Sequence, residues 1–151
     1  MKNIKAFLIT GLLLIAACQK SGTSIDAEAT LTTGRWQLTG AGVIIPGSST
    51  TIDVFSQVPT CLSDNFYTFG ADGTLTVDEG ATKCDPSDPQ TSTGNWKLLD
   101  NNTKLQGVDI TGASNTSTTV IQLDNNTLKL QDTTTYSGAT VTAIATFTHI
   151  H

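Results

Sequence analysis

Residues 65–80 read NFYTFGADGTLTVDEG, two short alternating runs on either side of Ala71-Asp72-Gly73. Asp and Gly tolerate the positive φ that tight hairpin turns demand, so the stretch reads as one hairpin. Its register decides which face is buried. A two-residue turn at Asp72-Gly73 sets Tyr67 and Phe69 opposite Asp78 and Thr76. A three-residue Ala71-Asp72-Gly73 loop with Gly73 left-handed sets them opposite Val77 and Leu75 instead. The second register gathers a single apolar face and is the one expected.

The same pattern recurs further along. DNN at 100–102 and DNN at 124–126 are, like ADG, followed by alternating runs, NTKLQ and NTLKL, beside GTLTV in the first case. One turn recipe for all three is expected, with eight strands in all: 34–40, 65–70, 74–78, 94–99, 104–110, 118–124, 127–132 and 140–150. Successive short strands joined by tight turns point to an antiparallel up-and-down barrel or a sandwich. Abundant Thr, Gly, Ser, Asn and Asp with little helical patterning agree with an all-β domain. Residues 41–60 are open to a further strand or a short helix.

At the N-terminus, Lys2 and Lys5 precede an apolar stretch, Ala6 to Ala17, that is too short to span a bilayer and resembles a secretory signal. Ile15-Ala16-Ala17-Cys18 resembles the bacterial lipobox, in which the cysteine becomes the first mature residue and carries acyl chains. The alternative is a plain signal peptide cut near Ala17. Cleavage leaves six basic and thirteen acidic residues, a formal charge of −7, which disfavours nucleic acid as a partner. The expected organisation is a signal peptide at 1–17, a flexible polar tether at 18–33 and one β-barrel domain at 34–151. The tether would span roughly 20 Å.

GRWQL at 34–38 and GNWKL at 94–98 share a Gly-x-Trp signature. The first resembles the lipocalin Gly-x-Trp motif, and with the 65–98 stretch and the lipobox the chain resembles the lipocalin-like lipoproteins of Bacteroidota over most of the mature domain. The resemblance implies an eight-stranded lipocalin-like barrel plugged at one end by Trp36. Arg35 is the sole arginine, so the late-strand arginine that covers this tryptophan in lipocalins is missing, as is a Thr-Asp-Tyr motif.

Three cysteines leave one over once a pair has formed, and Cys18 is accounted for by lipidation. Cys61 and Cys84 flank the 72–73 turn symmetrically and, in an exported protein, are expected to form a disulfide. A zinc pair is the alternative, but neither belongs to a Cys-x-x-Cys, and the histidines are His149 and His151 alone. These histidines read as a solvated terminal pair rather than a metal site. Asp78-Glu79 and CDPSDPQ at 84–90 lack the spacing of a 12-residue calcium loop and read as solvated turns. No catalytic motif is present, and neither an enzyme nor a cofactor is expected. Asp132-Thr133-Thr134 resembles an O-glycosylation acceptor of the same bacterial group, which makes Thr133 the modification candidate.

In the last strand Val141, Ala143, Ala145 and Phe147 share one face, and the two alanines would leave space inside a barrel. A cavity lined by Trp36, Phe69, Trp96 and Phe147 and a tightly packed core are both open. The expected function is binding of a small apolar or amphipathic molecule by a lipid-anchored envelope protein; the alternative is a filled barrel whose loops recognise a protein or a glycan. A monomer is expected, facing the periplasm from the outer membrane, because no acidic cluster follows Cys18.

Overall fold

A computed structural model of the chain describes residues 26–108, 117–136 and 138–151. The expected signal sequence, Cys18 and the first part of the expected tether lie outside these residues. The hairpin of residues 65–80 forms β3 (Phe66–Phe69) and β4 (Thr74–Asp78). Tyr67 lies opposite Val77 and Phe69 opposite Leu75, the register of the three-residue loop. Gly73 is left-handed at φ 84°. Its N–H donates to the Gly70 carbonyl at 3.0 Å, and the Asp72 carboxylate accepts from the Thr74 N–H at 2.9 Å.

The remaining strands are β1 (Arg35–Ile44), β2 (Ile52–Asp53), β5 (Thr91–Asn95), β6 (Lys97–Leu99), β7 (Lys104–Gln106), β8 (Ser117–Leu123), β9 (Thr127–Tyr136) and β10 (Ala139–Ile150). They form one antiparallel sheet in the order β5-β4-β3-β1-β10-β9-β8-β7-β6, with β2 against β1. The two ends of this path, β5 and β6, are separated in the chain by Trp96 alone. The sheet is therefore a nearly closed barrel. Nine strands lie on the path where eight were expected, because the expected strand 94–99 divides at Trp96. The Trp96 N–H donates to the Gly73 carbonyl at 2.9 Å. Gly107, at φ 106°, approaches from the other side so closely that a Cβ there would lie 2.3 Å from the Asn95 carbonyl oxygen. The strand changes partner from β4 to β7 between these two contacts.

The expected common turn recipe splits into distinct solutions. Asp100, Asn101 and Asn102 are all left-handed, at φ 51°, 55° and 66°. At 124–126 no φ is positive; the Asp124 carboxylate instead accepts from the Asn126 and Thr127 N–H groups, both at 2.9 Å. Residues 41–60 contain both a strand and helical turns: β1 runs on to Ile44, β2 pairs beside it, and a 3₁₀ turn (Phe55–Gln57) and α2 (Thr60–Ser63) follow.

The domain begins earlier than expected. Asp26 caps α1 (Ala27–Thr32) by accepting from the Ala29 N–H, and Leu31 is fully buried in the core. Residues from Asp26 onward thus belong to the fold rather than to the tether, because burying Leu31 holds a helix too short to persist alone. Trp36, Phe69, Leu75, Trp96, Leu105, Leu128, Leu130 and Phe147 complete the centre of the core. Along β10 the inward positions recur at every second residue, as the strand period requires.

Candidate functional site

The barrel is packed at one end and open at the other. At the open end a cavity of about 760 Å³ lies between the second half of β1, the middle of β10 and the covering segment 45–62. From β10, Val141, Ala143, Ala145 and Phe147 line it; Leu38, Ala41 and Val43 of β1 lie alongside, and Ile45, Ile52, Val54, Val58 and Leu62 form the cover. These four β10 residues are the set that the alternation placed on one face; Ile144, from the other face, also reaches the lining. Ala143 and Ala145 make the space, since the methyl groups stop short of the volume that a leucine or phenylalanine would fill there. Gln57 and Tyr67 supply the polar side-chain groups of the lining.

Three of the four aromatic residues proposed from the sequence do not line this cavity. Trp36, Phe69 and Trp96 are buried in the packed core, and Phe147 alone of the four borders the space. Each indole N–H needs an acceptor once buried, and each finds a carbonyl: Trp36 Nε1 donates to Leu31 at 3.0 Å and Trp96 Nε1 to Gly70 at 2.9 Å. Trp96 meets Phe69 edge to face, with ring centroids 5.3 Å apart. Phe147 meets Tyr67 in the same way, also at 5.3 Å, and so joins the core to the cavity wall. The residues that sequence reasoning missed are those of the cover. Their signal was composition: across 41–60 Asp53 is the sole charge among recurring Val, Ile and Phe.

A disulfide ties the far end of the cover. Cys61 in α2 is bonded to Cys84, with Cα atoms 5.1 Å apart, so the zinc-pair alternative is excluded. Pairing in β4 ends at Asp78, and the left-handed Gly80 turns the chain back toward α2. With its amide nitrogen facing the two carbonyls, Asn65 donates to Cys61 and Glu79, each at 3.1 Å. The Asp64 carboxylate accepts from the Thr82 hydroxyl at 2.7 Å, the Thr82 N–H at 2.8 Å and the Ala81 N–H at 3.1 Å. These bonds, the Thr82 hydroxyl first, hold its carboxyl below the ordinary 3.8 against the opposing effect of desolvation.

The acids near Cys84 are engaged in turns. Asp78 accepts from Gln90 at 2.8 Å and Gly80 at 3.0 Å, and Asp85 from Ser87. Among the described residues no group of three metal-ligating side chains occurs. Thr133 is exposed on β9, paired with Thr142. His149 departs from the solvated pair expected of the terminus: it is 9% exposed, its Nε2 is hydrogen-bonded to the Thr33 carbonyl, and its ring lies over Trp36. It covers the tryptophan that an arginine covers in the lipocalins this chain resembles.

A search of curated proteins returns no match. The family model described as a lipocalin-like domain matches residues 32–130, from the end of α1 into β9. The barrel of that family is in general a fold for small-ligand binding and is typically non-enzymatic. With a match over most of its length, a Gly-x-Trp at the head of β1 and a nearly closed antiparallel barrel, the chain belongs to the lipocalin-like domain family.

Proposed function

We propose that this protein is a lipid-anchored binding protein of the bacterial envelope that holds a small apolar or amphipathic molecule in the cavity under segment 45–62, without catalysis. The observation that carries the reading is the cavity itself, about 760 Å³ with a mainly apolar lining. Its volume falls within the range of sites for small organic molecules. Three branched residues at its rim, Ile45, Ile52 and Leu62, are 47%, 46% and 45% exposed, apolar surface that an incoming ligand would cover. Anchoring is supported by the sequence: with Cys61 and Cys84 bonded to one another, Cys18 remains for acylation, and several acyl chains make an effectively permanent anchor. An outer-membrane, periplasm-facing position is part of this proposal.

The test is displacement of a neutral fluorescent probe, N-phenyl-1-naphthylamine. Saturable binding is expected, and Ala143→Phe, which fills the cavity, should abolish it while leaving the melting transition in place. Absence of saturable binding to the wild-type domain would refute the binding role. For the anchor, full-length protein should label with palmitate and partition into detergent, and Cys18→Ser should lose both properties.

A further inference from the structure

Resting on that binding role, we propose that the cavity selects an uncharged ligand, an apolar molecule bearing a hydrogen-bonding group such as an alcohol, ester or amide, and discriminates against fatty-acid anions. A carboxylate carried into an apolar site needs a cation or several donors to replace its water. Among the described residues the lining contains no Lys, Arg or His. Every described cation is elsewhere: the Arg35 guanidinium lies 3.8 Å over the Phe66 ring, Lys104 pairs with Asp100 at 3.0 Å and Lys83 donates to the Asp88 carbonyl at 2.6 Å. Lys97 and Lys129 are not part of the lining either.

The charged residue adjacent in sequence to lining residues is an acid, and its carboxylate accepts from the Phe55 N–H at 2.8 Å. Asp53 sits in β2 between Ile52 and Val54, both lining residues. The chain as a whole is acidic, which adds repulsion at longer range. What the lining offers instead is uncharged: the Tyr67 hydroxyl, and Gln57, an exposed side chain whose amide makes no hydrogen bond to another described residue. An amide presents two donors and an acceptor without charge, and so matches a hydroxyl, an ester or another amide.

The experiment compares dodecanol with dodecanoate as competitors for bound N-phenyl-1-naphthylamine, at a pH where the acid is ionised. Dodecanol should displace the probe at concentrations about tenfold or more below those dodecanoate requires. Gln57→Lys, which places a cation in the lining, should narrow or reverse that order. Equal or better displacement by dodecanoate from the wild-type protein would overturn the selectivity while leaving the binding role standing. If the probe does not bind, or binds Ala143→Phe as well as wild type, the binding role itself falls and the selectivity with it.

Discussion

The imidazole of His149 covers the indole of Trp36, with ring centroids 4.9 Å apart and planes inclined by 36°. Trp36 opens β1 and His149 lies opposite it near the end of β10, so the contact joins the first strand of the barrel to the last. Gly34 makes the approach possible. It is left-handed at φ 68°, and a Cβ there would stand 2.5 Å from His149 Nε2. His149→Ala removes the ring contact and the hydrogen bond to the Thr33 carbonyl, and should lower unfolding free energy by about 2 kcal/mol. Urea denaturation would measure it, and N-phenyl-1-naphthylamine binding at the other end of the barrel should persist.

Removing the disulfide should act on the cover as well as on stability. The bridge closes a sequence separation of 23 residues and anchors α2, the last element of segment 45–62. Replacing both Cys61 and Cys84 by Ala should cost about 3 kcal/mol and weaken probe binding beyond what the stability loss explains. Denaturant titration with and without the probe separates the two effects.

Acid should unfold the protein through its turns. Asp64, Asp72, Asp78, Asp85 and Asp124 all titrate below the ordinary 3.8, each chiefly through hydrogen bonds that its ionised form accepts. Because their folded values are depressed, the stability they contribute is full above the unfolded value and is lost as pH falls through the folded ones. The melting temperature should be nearly level from pH ~7 to ~5 and drop below pH ~4. For Asp72, whose leading cause is the Thr74 N–H, Asp72→Asn should flatten part of that drop.

The domain boundary is testable by truncation. Leu31 is fully buried, and its carbonyl accepts from Trp36 Nε1. Leu31→Ala should therefore destabilise the barrel by about 2–5 kcal/mol. A chain beginning at Gly34 should lose at least as much, whereas one beginning at Asp26 should melt like one beginning at Cys18.

Where local rules govern, the sequence was readable. The register of β3 with β4 followed from matching apolar faces, and the inward set on β10 from simple alternation, including the two alanines that open the cavity. Where distant contacts decide, it was not. The break at Trp96 depends on Gly73 and Gly107 meeting it from either side, and neither approach has a local signature. Trp36, Phe69 and Trp96 were grouped with Phe147 by residue type, yet position along the barrel axis separates packed core from cavity. Segment 45–62 has no regular period because its apolar residues lie across an opening rather than in a ladder. Leu31 was hidden because a six-residue helix owes its stability to what it packs against.

The order of the sheet has a consequence for how the chain folds. From β3 to β10 each strand pairs with its neighbour in sequence, apart from the change of partner at Trp96, and these pairings need only short excursions of chain. The seam between β1 and β10, which sets Arg35 opposite Ile150, joins residues from opposite ends of the domain and carries the largest loop-closure entropy. Hairpins should assemble early, and this seam should set the rate. Substitutions along it, at Leu38 or Phe147, should slow refolding, while those in the 100–103 turn should chiefly speed unfolding.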